Sequence, residues 1–126
     1  MSSRYFTVEE ANTALTTLRP LVADMLAARE RIVAAQPELW PVLEKAAGNG
    51  GSPKASAVLL DFEALRRSVK AIEAMGIELK DINTGLVDFL SERDGRDVYL
   101  CWKYDEPRVA FWHDLEAGFA GRQPLD

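Results

Sequence analysis

Apolar residues recur along the first third of the chain at alternating steps of four and three: Ala11, Leu15, Leu18, Val22, Met25 and Ile32, with Arg29 in the one remaining slot. That spacing keeps them on one face of a helix and excludes a strand. Thr7-Val8-Glu9-Glu10 opens the helix as a capping box. The Thr7 hydroxyl accepts from the Glu10 amide, and the Glu10 side chain reaches back to the Thr7 amide. The pattern predicts a helix from Val8 to about Ala35, kinked at Pro20, where a backbone donor is missing. A second stripe, Ala14, Leu21, Ala28 and Ala35, implies a second neighbour for this helix.

The same four-three period returns at Val58, Phe62, Leu65, Val69 and Ile72, opposite a charged face. Ser52-Pro53 is its start signal, and Met75-Gly76-Ile77 ends it, with Gly76 free to turn left-handed. Between the helices, Pro37 and Pro41 bracket a short amphipathic piece running from Glu38 to Ala47, and residues 48–53 form a flexible connection. Gly48-Asn49-Gly50-Gly51 is not a phosphate loop, because Lys54 lacks the required spacing and no strand precedes it. The two long helices are expected to lie antiparallel.

From Ile77 the period shortens to two. Ile77 to Lys80, Leu86 to Leu90, Val98 to Tyr104 and Arg108 to His113 are predicted strands, followed by a helical turn from Leu115 to Phe119 and a Gly-Arg-Gln-Pro tail. Asp94-Gly95 is a two-residue hairpin signal that pairs Phe89 with Leu100 and Val87 with Trp102. A two-residue loop at Asp105-Glu106 would pair Trp102 with Val109, Leu100 with Phe111 and Val98 with His113. The helix-facing side then carries Val87, Phe89, Val98, Leu100, Trp102, Val109 and Phe111. The other side carries Asp88, Leu90, Tyr99, Cys101, Lys103, Ala110 and Trp112, an aromatic patch that calls for a cover. The expected fold is α+β: one domain over 1–126, with a helical hairpin (6–76) packed on an antiparallel sheet of three or four strands (77–126).

At 126 residues, such a chain buries roughly two-thirds of its unfolded surface. Twenty acidic residues against 15 basic ones, a net charge of -5, disfavour nucleic acid as the partner. No apolar run reaches membrane-spanning length, and the N-terminus lacks a signal-peptide pattern, so the expected location is the cytoplasm.

Phe6 to Asn12 (FTVEEAN), Leu18 to Val22 (LRPLV) and Gly85 to Phe89 (GLVDF) together resemble a bacterial family of uncharacterised proteins, domain of unknown function 2203. The resemblance continues through DGRDVYLCWK, FWHDLEAGFAGR and the Pro-Leu ending. It covers nearly the whole chain outside the middle around Gly48 to Pro53. It implies an identity and brings no activity, cofactor or catalytic residue with it.

His113 and Asp114 are the candidate catalytic residues, since histidine is both a common general base and the commonest metal ligand. A divalent metal would need more donors, and Asp88 and Glu10 are the ones within reach of these strands and of the first helix turn. The assumed register points His113 toward the helices, away from the Asp88–Cys101 row, which favours a histidine hydrogen-bonded at the sheet end. Cys101 reads as a small buried hydrophobe, because Asp88 opposite it would hold its thiol protonated. Asn12 and Arg19, polar residues beside the helix seam, would bind an anion or hold the Pro20 kink, or Arg19 would simply pack its stem and reach water.

Two functions follow. The first is a small cytoplasmic interaction or regulatory module without catalysis, homodimeric because the second helix stripe and the aromatic sheet face need covering. The alternative is a metal-dependent hydrolase or small-ligand-binding protein with its site near His113. Convergence of the acidic residues and His113 in one place separates the two.

Overall fold

A computed structural model describes residues 4–35, 40–41, 44–45 and 59–126. The Ser52-Pro53 start signal, the flexible connection over 48–53, Val58 and most of the Glu38–Ala47 piece lie outside the described residues. Helix α1 spans Val8–Ala35 and runs unbroken through Pro20. Its capping box forms as the sequence dictates: Thr7 N donates to Glu10 Oε1 at 2.9 Å, and Glu10 N donates to Thr7 Oγ1 at 3.0 Å. Helix α2 spans Leu59–Ala74 and ends at Gly76, whose φ is 83°. The helices pack antiparallel. Arg31 Nε donates to Asp61 Oδ1 at 2.7 Å, tying the end of α1 to the start of α2, while Leu21 and Ala71 line one groove further along.

Five antiparallel strands follow in simple order: β1 Glu78–Asp81, β2 Leu86–Arg93, β3 Arg96–Lys103, β4 Phe111–Asp114 and β5 Gln123–Pro124. The fifth is two residues long, too short for any periodicity to betray, and it forms from what the sequence marks as a tail. Leu125 N donates to Ala110 O at 2.9 Å and extends the pairing. In place of a helical turn from Leu115 to Phe119, the chain makes a turn at Leu115–Ala117 and a short 3-10 segment at Phe119–Gly121.

The β2–β3 hairpin has the expected register. Phe89 pairs with Leu100 and Val87 with Trp102, closed by Asp94 and Gly95 at φ 54° and 81°. The β3–β4 hairpin does not. Its loop is the seven residues 104–110 rather than two, and Leu100 pairs with Trp112, Tyr99 with His113 and Cys101 with Phe111. A slip of one residue exchanges the two faces of a strand. Trp112 therefore joins the core on the helix side, whereas Phe111 and His113 turn to the outer face.

The cause lies in α1. Asn12 Oδ1 accepts from Val109 N at 2.8 Å, and its Nδ2 lies 3.3 Å from Val109 O. Arg19 donates to the carbonyls of Glu106 and Pro107 at 3.3 and 3.1 Å, and Trp102 Nε1 donates to Glu106 O at 3.0 Å. The loop backbone is thus satisfied by side chains instead of a ladder. Asn12 and Arg19 hold this loop, and the half-buried Arg19 guanidinium also lies 5.2 Å over the Trp102 ring.

One contiguous apolar cluster joins Leu18, Val22, Met25 and Ile32 of α1 and Phe62, Leu65 and Ile72 of α2 to Val87, Phe89, Leu100, Trp102 and Trp112 of the sheet. Arg29, the odd slot in the first seam, stacks 5.2 Å from the Trp40 ring and donates to Asn83 Oδ1 at 2.8 Å. Trp40 Nε1 shares that acceptor at 3.0 Å, so Trp40 docks on the β1–β2 loop.

Gly85 and Gly95 separate two effects cleanly. Both have positive φ, but a Cβ on Gly95 would meet nothing within 4 Å, whereas one on Gly85 would stand 2.7 Å from Val22 Cγ1 and 3.0 Å from Tyr104 Cβ. Gly95→Ala is expected to lose about 1–2 kcal/mol from the left-handed backbone alone. Gly85→Ala should lose a further 1–3 kcal/mol, roughly, from overpacking against α1. Urea melts of the two variants check the difference; equal losses would mean that the β1–β2 loop does not press on α1.

Candidate functional site

The outer face of the sheet carries three buried ionisable side chains on its three inner strands. Asp88 of β2 is the direct cross-strand partner of Cys101 of β3. His113 of β4 stands opposite Tyr99, one place along β3, and its ring reaches back across β3 to Asp88. Nε2 lies 3.1 Å from both Asp88 Oδ1 and Oδ2. The Cys101 Sγ faces the same carboxylate, within 4.8 Å of it. Relative exposures are 3% for Asp88, 0% for Cys101 and 2% for His113.

Geometry dictates the proton pattern. His113 Nδ1 lies 2.8 Å from the carbonyl oxygen of Asp114, which can only accept, so Nδ1 carries a hydrogen. Nε2 then faces a carboxylate. Two bare acceptors cannot sit 3.1 Å apart in a buried site, so a positive charge or a proton must lie between them. Burial pushes the Asp88 carboxyl up from its ordinary value. The His113 charge and the hydrogen bonds from His113 and Cys101 pull it back without offsetting the rise. Burial, reinforced by the charge of Asp88, pushes the Cys101 thiol up to about 12. A thiol held protonated in this way is no nucleophile.

The surroundings complete the seal. The Tyr99 ring lies 5.6 Å from His113, tilted, and its hydroxyl donates to Glu78 Oε2 at 2.7 Å. That hydrogen bond is the largest reason the Tyr99 phenol is raised to about 12. Glu78 in turn pairs with Lys80 at 3.0 Å. On the other side, the Arg122 guanidinium lies 3.8 Å over the Phe111 ring and 4.6 Å from Phe119, and it pairs with Glu106. The C-terminal tail therefore lies against the outer face where the sequence calls for a cover.

Of the four residues that the sequence marks as candidate ligands, the structure brings two together, His113 and Asp88. Glu10 is engaged in the capping box and lines a cleft with Ser91 on the helix-facing side. The Asp114 carboxylate stands beside Arg96 at 2.9 Å, off the line of a hydrogen bond; only its backbone carbonyl serves His113. Cys101, read from sequence as a buried hydrophobe, supplies the third member. The signal that could have found it was the pairing of Asp88 with Cys101, which the Asp94-Gly95 turn already fixed. What hid His113 was the assumed two-residue loop. Chemically, the cluster offers one sulfur, one nitrogen and one carboxylate donor set, whose atoms lie within 4.8 Å of one another. A metal could be held by these three residues.

Two substitutions at His113 probe what Asp88 needs. His113→Leu leaves a buried carboxylate without its principal donor and is expected to lose about 3–5 kcal/mol. His113→Gln, whose amide can still donate, should lose clearly less. Chemical denaturation of both variants reads the difference, and equal losses would mean that Asp88 does not depend on the ring nitrogen.

The family model described as uncharacterized conserved protein (DUF2203) matches residues 4–125. No curated protein and no solved structure matches the chain. The match takes in every helix and strand described above and all three residues of the buried cluster, and the chain belongs to the DUF2203 family.

Proposed function

We propose that this protein is a small regulatory module that binds a cation at the Asp88–Cys101–His113 centre and catalyses nothing. One observation carries the reading: three ionisable side chains on three adjacent strands, each at most 3% exposed, converge on a position that calls for a proton or a cation. Such constellations are expensive. Apolar residues of similar volume on the same strands would serve folding as well or better. A buried cluster that folding does not require is best accounted for by what it binds. The hydrolase alternative finds little support in the same geometry, because a sealed centre admits no polymeric or bulky substrate and its thiol is not activated. The small-ligand half of that alternative is retained. No helix among the described residues is long and apolar enough to cross a membrane. The one cysteine is a free thiol, which supports a reducing compartment such as the cytoplasm as the module's place of work.

Replacing both partners tests the reading. Asp88→Val/His113→Leu should fold within about 1 kcal/mol of the parent, or more stably, because it removes a buried ion pair as a unit. Native mass spectrometry should find a bound cation on the parent and none on the double variant. A double variant that melts far below the parent, with no bound mass on the parent, would make the cluster structural and end the proposal.

A second reading concerns self-association. The sheet-face argument for a homodimer no longer applies, since Trp112 lies in the core and the tail lies on the outer face. Of the helix stripe, Ala28 is already buried within the chain, while Leu21 lines a groove of about 390 Å³ between α1 and α2, where Leu21, Asp24 and Ala27 face Ala64, Arg67 and Ala71. Small side chains permit close approach, and a two-fold axis through the groove would set Asp24 of each copy near Arg67 of the other. We propose a second copy of the chain as the occupant. Light scattering coupled to size exclusion should then report twice 14.0 kDa, and Leu21→Glu should halve it while leaving the chain folded. A parent that elutes as a monomer overturns this.

A further inference from the structure

Resting on the cation-binding reading, we infer that the ligand is a divalent transition metal of the zinc class, held by Cys101 Sγ, His113 Nε2 and an Asp88 carboxylate oxygen. Four independent features of the centre agree.

The first is reach. Donors on one tetrahedral zinc, each about 2.0–2.3 Å from it, lie roughly 3.3–3.8 Å apart. The three donor atoms here are all within 4.8 Å of one another, and His113 Nε2 is already 3.1 Å from the carboxylate. Side-chain rotations that move the widest pair by about 1 Å close the site, with no change asked of the strands. The second is the tautomer. Nδ1–H donates to the Asp114 carbonyl at 2.8 Å, which directs the Nε2 lone pair inward. Metal-binding histidines are oriented in this way, through their other nitrogen to a backbone carbonyl or carboxylate.

The third is donor chemistry. Magnesium and calcium take oxygen ligands. A set with one sulfur, one nitrogen and one carboxylate suits zinc, cobalt or ferrous iron instead. The fourth is charge. On binding, the cation displaces the Cys101 thiol proton and the proton between His113 and Asp88 to solvent. The thiolate and carboxylate that remain around a doubly charged ion leave the centre neutral, and a neutral centre is the one a site this buried tolerates best. The ligands also come from β2, β3 and β4, each paired on both sides, so the frame that holds them is rigid. Three protein donors leave a fourth position for water or a small anion.

Cobalt(II) is the probe. The full chain is titrated with Co²⁺ and followed by visible and near-ultraviolet absorption. The expected result is saturation at one equivalent, with the strong visible bands of a tetrahedral ion and a sulfur-to-cobalt charge-transfer band, both bleached by added Zn²⁺. Cys101→Ala, checked for folding by circular dichroism, should lose the charge-transfer band and bind more than about 100-fold more weakly, since even outer-shell partners are worth 10–100-fold. If that variant does not fold, elemental analysis of the parent for zinc stands in its place. The outcomes separate the two proposals. Bound cation on the parent by mass spectrometry, without a sulfur-to-cobalt band, overturns the zinc-class assignment and leaves the cation reading standing. A band that survives Cys101→Ala overturns the ligand set. No cation of any kind overturns both.

Discussion

Asn12 sits little more than one turn into α1, yet its side chain is committed to residue 109. Its amide closes a two-way bond with the Val109 backbone, and Arg19, two turns on, holds the carbonyls of Glu106 and Pro107. These contacts give the loop between β3 and β4 a fixed shape of seven residues. Loop length sets register, and register sets which face each residue of β4 occupies. Without that clamp, a tight turn at Asp105-Glu106 would be available, His113 would point into the helices, and Trp112 would lie outside. The packed core and the polar cluster both depend on one hydrogen-bonding decision made by a helix that contributes no residue to the cluster.

The two faces of the sheet then follow different physics. On the inner side, Val87, Phe89, Leu100, Trp102 and Trp112 meet the helices, and burial of apolar area stabilises them at about 25 cal/mol per Å². Among the described residues, no α-helix covers the outer side. Burial is achieved instead by side chains lying along the sheet: Tyr99 against His113, and Arg122 between the rings of Phe111 and Phe119. Aromatic and guanidinium planes cover the polar trio, and the two-residue β5 holds the tail that delivers them. In a layer this thin the Asp88 carboxylate is deprived of water, and the lost hydration appears as its raised affinity for a proton or another cation.

Most of the frame was legible. The four-three spacing marks α1 to within a residue at both ends, Gly76 stops α2, and Asp94-Gly95 fixes the β2–β3 register pair by pair. These signals are local, and local signals survive in a bare sequence. The β3–β4 register was not legible because its cause is 97 residues away, in Asn12. Pro107 and a plausible turn at Asp105-Glu106 pointed to the shorter loop, and nothing nearby argued against it. The same feature divides the site: the Asp94-Gly95 turn pairs Asp88 with Cys101, whereas a two-residue loop at Asp105-Glu106 sends His113 to the opposite face. Arg29 was legible as an anomaly in an apolar seam and illegible in purpose, since its partners Trp40 and Asn83 belong to other segments.

The arrangement also ties the buried centre to the surface of α1. β4 is four residues long and is held at two places. Near its end, His113 engages Asp88 and the Asp114 carbonyl. Before its start, Val109 is bound to Asn12, and the loop beyond is bound to Arg19. The short strand that carries His113 is thus fixed to the surface of α1 before its start. β3 and β5 flank that strand and hold it on both sides. Arg122 strengthens the link, because it covers Phe111, the partner of Cys101, while pairing with Glu106 in that loop. The buried centre inside the sheet and the 104–110 loop are thereby joined through a few named contacts, all of which trace back to the Asn12 and Arg19 side chains of α1.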